Sequence, residues 1–253
     1  MLRRVAAIGL TAAEADRLNS TASGKNVELL CIEPGGSLPL ATMAVLATTE
    51  SFEAGFGAAV DLADQHVEIL KLLSLAIDVR EEFLPGASRR IQMHAAYFAD
   101  ALGLSTDERL TLERGVLIRD IGKLQIPNYI LLKDSLLNHE EWSMLQRHTH
   151  IGAELIRDIA ALQDTEPVVR HHHECWDGSG YPEGLEGDRI PFLAQVAKVV
   201  DVFCAMTSPR HYRTGKSTRE EALAYIAGFK GQLFNPELAE KFITGKIAEA
   251  AEE

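Results

Sequence analysis

Up to Thr49, short apolar runs alternate with polar and turn-forming stretches. RVAAIGL (4–10) predicts a buried strand, and TAAEADRL (11–18) opens a helix whose capping box pairs Thr11 with Glu14. VELLCIE (27–33) predicts a second strand, ended by Pro34-Gly35-Gly36, while ATMAVLATT (41–49) fits a third strand or a helix. From Phe56 to Leu84 the period lengthens. Val60, Ala63, Val67, Leu70, Ile77 and Leu84 recur at heptad-like intervals, with Ser74 interrupting the seam. This predicts a connector helix that either lies on its own domain or pairs two subunits as a homodimer. Beyond Pro85-Gly86 every periodic segment is helical. LSTDERL carries a capping box at Ser105 and Glu108, and NHEEWSML another at Asn138 and Glu141. TREEALAYIAGF and NPELAEKFITGKIAEA supply the last two helices.

The pattern therefore predicts an α+β chain in three parts. Residues 1–55 form a small α/β module, residues 56–84 the connector helix, and residues 85–253 an all-α domain. The first module resembles part of a receiver fold. No pair of acids follows its first strand, so a structural or docking role is expected rather than phospho-acceptance.

Composition narrows the partners. The chain has 253 residues, 37 acids against 25 bases, and a net charge of −12. Such a chain repels polyanions, so no nucleic-acid polymer is expected, although a small phosphorylated ligand remains open where bases gather. Three cysteines without framework spacing, Cys31, Cys175 and Cys204, predict reduced thiols in a cytoplasmic protein. The start MLRRVAAIGL imitates a signal peptide, but Glu14 and Asp16 follow directly; neither a leader nor a membrane span is expected.

The candidate chemistry lies in HHHECWDGSGYPEG (171–184). Adjacent histidines on a helix point about 100° apart, so they share a metal only where the helix ends, and the Asp177–Gly180 turn supplies such an end. Asp120, His148, His150 and Asp201 are further candidates. Asp201 stands in the apolar helix AKVVDVFCAMTS, where an aspartate is rarely tolerated unless paired or metal-bound. Taken singly each has a plain alternative: His150 a surface residue, His171 the solvent face of a helix, Cys175 packing.

HHECWDGSGYPEGLEGDRIP followed by VVDVFCAMTSPRHYR resembles the HD-GYP family, the helical metal-dependent phosphodiesterases of bacterial cyclic di-GMP signalling. The resemblance runs from about Gly86 to Gly245. It implies an all-α HD-type domain whose two or three metals, often iron or manganese, activate water to attack a phosphodiester. Ligand type alone does not choose the metal. Two departures stand out. The family's HDIGK segment is IRDIGK here, with Arg119 in the histidine's place while Asp120 and Lys123 remain. The family's early histidine corresponds to Ala87, and His94, two turns on, cannot replace it without a register shift.

Carried across residue by residue, the resemblance leaves one metal site with only Asp120 and Asp201. The other keeps Asp120, His148, His172 and His173. One bound ion is expected rather than two or three, with Asp120 and Lys123 as the catalytic pair. Arg119 is expected to pair with Asp120 or Asp201 in place of the lost ion, or else to swing to solvent. Tyr181 of the GYP turn would contact the ligand, and Arg210 and Arg213 would take its phosphates. The resemblance thus implies cyclic di-GMP binding with weak or no hydrolysis. An active phosphodiesterase and a module docking a diguanylate cyclase through its GYP surface are the alternatives.

Overall fold

The computed structural model describes residues 3–8, 27–32, 43–45, 69–80, 87–208, 217–245 and 247. Contacts divide the chain into two compact units, Met1–Ile69 and Leu70–Glu253.

In the first unit, strands β1 (Arg3–Ile8), β2 (Val27–Ile32) and β3 (Met43–Val45) form a parallel sheet of order β2-β1-β3. Arg3 pairs with Val27 and Val5 with Met43, setting the two registers. The helix expected from Thr11, with its capping box, lies outside the described residues.

The second unit is helical. Its first described helix, α1, covers residues 69–80. Leu70 and Ile77 of the expected heptad seam are buried with Leu117, Ile118, Ile121, Ile156, Leu162 and Val169. Ser74, which interrupts that seam, is also buried. The described part of the connector thus lies on its own domain, and Ile69, Leu72 and Val79 on its outer side are exposed. The seam positions Val60, Ala63, Val67 and Leu84 lie outside the described residues.

The larger core is built around α8 (Phe192–Thr207). Its Val196, Val199, Val200 and Phe203 pack with residues of α2 (Ala87–Leu102) and α3 (Thr106–Ile118). Residues of α9 (Arg219–Gly228) and α10 (Pro236–Thr244) complete that core. An apolar helix with buried residues around most of its circumference belongs at the centre of a bundle. Both predicted capping boxes form, at Ser105–Glu108 and Asn138–Glu141, and a third forms at Thr218–Glu221. Each ties an orphan helix N–H to a side chain.

Four shorter helices carry the site: α4 (Asn128–Leu131), α5 (His139–Gln146), α6 (His148–Ile156) and α7 (Glu166–His171). A 3-10 turn, Ile121–Gln125, follows α3 and packs against α6. That approach requires glycine. A Cβ at Gly122 would lie 1.9 Å from the His148 carbonyl oxygen and 2.6 Å from the Gly152 nitrogen, both backbone.

Candidate metal centre

Three helix breaks bring four candidate ligands together. Asp120 lies where α3 gives way to the 3-10 turn, and His148 opens α6 directly after Arg147 closes α5. Helix α7 stops at His171, with His172 at its C-cap. Because the helix ends there, His172 and His173 are not forced to opposite sides, and their rings lie 4.1 Å apart. One ligand atom each from Asp120, His148, His172 and His173 falls within 4.8 Å of the others.

The imidazoles are oriented for coordination. His148 Nδ1 lies 2.7 Å from the Leu145 carbonyl oxygen, and His172 Nδ1 lies 2.9 Å from that of Val169. A proton on each Nδ1 satisfies those carbonyls and leaves the Nε2 lone pairs facing the cluster. Nε2 of His148 is 3.5 Å, and that of His172 3.8 Å, from Asp120 Oδ1. Both Nε2 atoms are buried with no hydrogen-bond partner among the described residues, and Asp120 Oδ1 is buried beside the Lys123 ammonium. Bonds of roughly 2.0–2.2 Å to a shared cation would set ligand atoms about 3–4 Å apart, so the residues fit a metal ion.

Electrostatics favours the same occupant. Burial pushes His172 down to about 3, outweighing the pull of the Asp120 carboxylate. Burial also lowers His148 and carries His173 well down, with the neighbouring imidazoles adding to the effect at His173. All three are therefore neutral at neutral pH, as ligands must be. Burial alone would raise Asp120, but the Lys123 and Arg119 cations overcome it and hold the carboxyl well below its usual range. Lys123 Nζ stands 3.1 Å from Asp120 Oδ1.

Asp201 is not part of this group. Arg119 Nε donates to Asp201 Oδ1 at 2.8 Å, and Arg119 Nη2 lies 3.3 Å from Asp120 Oδ2. Its Nη1 donates to the Val116 carbonyl at 2.7 Å, which fixes the guanidinium against α3. Of the two expected positions, Arg119 takes the inward one and pairs with both carboxylates. Ala87 opens α2 and offers only a methyl group. His94, on the same helix, is buried with Nδ1 3.3 Å from the Ile247 carbonyl oxygen, outside the ligand group.

Tyr181 stacks on His173, with ring centroids 4.7 Å apart and planes 27° from parallel. Burial raises its phenol strongly, so it stays protonated and can donate. Exposed Trp142 meets Tyr181 edge-on at 6.2 Å, forming an aromatic rim beside the ligands. Arg210 and Arg213 lie outside the described residues. His150 is exposed and Cys175 buried, as expected.

His171 corrects one expectation, for it is buried rather than on a solvent face. Its Nδ1 lies 3.3 Å from Glu183 Oε2 and 3.8 Å from Glu174 Oε1. These three residues also bring ligand atoms together. However, Glu174 accepts the backbone N–H groups of Glu183 (2.8 Å) and Leu185 (3.1 Å), and Glu183 accepts from Arg170. The group clamps the GYP loop to α7. Gly180 tightens the same loop, since a Cβ there would lie 2.3 Å from the Cys175 nitrogen.

Glu174 and Arg90 escaped the sequence reading. Arg90 holds the end of α8, donating to the carbonyls of Cys204 at 3.0 Å and Thr207 at 3.4 Å, and to Ser208 Oγ. Their signal was a charged residue beside a motif, which local pattern cannot tell from a surface charge.

Residues 71–238 match the family model described as HD domain. The chain is 35% identical over 188 residues to the cyclic di-GMP phosphodiesterase response regulator RpfG of Xanthomonas campestris pv. campestris, covering 74% of this chain and 50% of that protein. It is 32% identical over 186 residues to the 3'3'-cGAMP-specific phosphodiesterase 2 of Vibrio cholerae, covering 72% and 35%. With the cyclic di-GMP phosphodiesterase of Thermotoga maritima it shares 34% over 178 residues, covering 70% and 48%. The chain thus spans half or less of the length of these relatives. Among solved structures, the V. cholerae cyclic GMP-AMP phosphodiesterase V-cGAP3 superposes with a TM-score of 0.57 at 21% identity, covering 73% of this chain and 49% of that one. Among the described residues, no helix is long and apolar enough to cross a membrane. The helical bundle, the His/Asp cluster at its helix breaks and the match across residues 71–238 make this chain a member of the HD-domain family, in its HD-GYP branch.

Proposed function

We propose that this chain is a degenerate signalling member of its family, one that binds cyclic di-GMP at a half-retained metal centre and hydrolyses it weakly or not at all. One observation carries the reading: Arg119 pairs with both Asp120 and Asp201, at 3.3 and 2.8 Å, where the resemblance implies a second cation. A guanidinium cannot be deprotonated, so it neutralises both carboxylates without offering an open coordination position.

Asp120, His148, His172 and His173 would hold the single ion, iron or manganese by the resemblance. When bound, such an ion supplies Lewis acidity, polarising a phosphoryl oxygen and lowering the pKa of water from about 15.7 towards about 7. The chain's own groups do the rest. Lys123 keeps Asp120 ionised and places a second positive charge where phosphate charge would gather. Tyr181 offers a stacking face and a protonated hydroxyl, while Arg210 and Arg213 bind phosphate oxygens. Asp201, engaged by Arg119, is withdrawn from metal and proton work alike, which limits turnover.

In this reading the protein acts in the cytoplasm, residues 1–55 serve as an input or docking module, and a homodimer would use the exposed outer side of the connector, because its described seam is buried on its own domain. The relatives named above as phosphodiesterases favour a second reading, an active enzyme. Metal analysis of anaerobically purified protein, with calorimetry and product analysis on cyclic di-GMP, separates the readings. About one ion per chain and saturable binding with little product supports the receptor. Efficient turnover in added iron or manganese replaces it with the enzyme. No binding by a folded protein leaves a module that docks a diguanylate cyclase through its GYP surface.

A further inference from the structure

We infer that Arg80, on the connector helix, is a positioning residue for the metal centre. It would act by fixing the backbone that carries Asp120 and Lys123. The inference rests on the reading of Asp120 as a metal ligand.

Arg80 reaches across 43 residues of sequence to donate from Nη1 to the Lys123 carbonyl at 2.7 Å. Its Nη2 donates to the Ile126 carbonyl and, at 3.2 Å, to Asn128 Oδ1. All three acceptors lie in one short stretch, the end of the 3-10 turn and the start of α4. The Lys123 carbonyl also accepts the Ile126 N–H at 3.0 Å, so the guanidinium is a second donor to it, and the carbonyl end of a helical turn favours a cation. A planar guanidinium fork spans several such acceptors at once, where an ammonium acts as a point donor.

The other end of the same turn is Asp120. Its carbonyl accepts from the Lys123 N–H at 2.9 Å, and its Oδ1 lies 3.1 Å from Lys123 Nζ. Lys123 is therefore held by its carbonyl to Arg80 and faces Asp120 with both its amide and its ammonium. Packing fastens the same segment a second time, since Leu70 and Ile77 of α1 are buried with Ile118 and Ile121, which flank Arg119 and Asp120. Helix α1 is thus tied both by the fork and by packing to the segment that carries Asp120. Without the fork, the 3-10 turn would keep its packing but lose the bonds that set its rotation, and Asp120 with it.

The test uses the full chain with Arg80→Ala and Arg80→Lys, read by Mn2+ calorimetry and by hydrogen exchange across residues 119–128. Arg80→Ala should weaken Mn2+ binding about 10–100-fold, the size of effect expected from groups that orient a ligand. Arg80→Lys should fall between it and the parent, and should supply the answer if the alanine variant fails to fold. Exchange should rise in residues 119–128 and stay unchanged in α8. Parental Mn2+ affinity with unchanged exchange in both variants overturns the inference. If the parent itself binds no Mn2+, the metal-centre reading falls. Exchange then decides by itself whether Arg80 holds the segment.

Discussion

Replacing Arg119 by alanine removes a cation that touches both carboxylates. Asp201 would lose its 2.8 Å partner, Asp120 would keep Lys123 at 3.1 Å, and the Val116 carbonyl would lose its donor. Breaking a buried ion pair costs about 3–5 kcal/mol, because the remaining charge stays desolvated. The side chains of Arg119 and Asp201 are 14% and 16% exposed, and Lys123 still serves Asp120, so the lower end, about 3 kcal/mol, applies here. For a domain of this size that corresponds to a fall of roughly 6–12 °C in Tm. The assay is thermal unfolding in a chelator and again in excess Mn2+. If Arg119 stands in for an ion, the variant gains a place for one between Asp120 and Asp201. Mn2+ at about a hundred times its Kd would then return about 2.7 kcal/mol beyond any gain by the parent. Placing histidines at 119 and 87 together should raise the metal count above one per chain. A variant as stable as its parent in chelator, with no extra rescue by Mn2+ and a metal count still at one, would refute the substitution of charge.

Two other outcomes follow from the same geometry. Because His148, His172 and His173 are lowered in the fold, the unfolded chain takes up protons first as pH drops below about 6.5. The metal-free protein should therefore lose stability on acidification towards about 3, where His172 titrates, at up to about 1.4 kcal/mol per pH unit for each histidine. Denaturant midpoints across that range check the slope, and a flat profile from pH 7 to 5 would contradict it. Gly122→Ala should destabilise by roughly 1–3 kcal/mol or more, since its methyl meets backbone on two sides. It should also weaken Mn2+ binding by pushing His148 from Asp120. Chemical denaturation and calorimetry measure both effects, and unaltered metal affinity in a destabilised variant would separate packing from ligand placement.

The capping boxes at Ser105 and Asn138 were legible because a helix start is a local event, written in residues three apart. A convergence of histidines was legible too, since a helix end beside Asp177-Gly178-Ser179-Gly180 lets neighbouring imidazoles meet, although the family resemblance was needed to choose His148, His172 and His173 as candidate ligands. The family resemblance also named Arg119 as the departure that matters, but left two positions open to it. Only the packing of α3 against α8 decided that it turns inward, because Asp201 arrives from 82 residues away. The seam of α1 was visible as spacing, whereas its burial against Ile118 and Ile121 depended on a surface made by other elements. His171, Glu174, Arg80 and Arg90 were opaque for the same reason. A charged or titratable side chain looks alike on a solvent face and inside a clamp until the carbonyls, amides and carboxylates that satisfy it are folded into place.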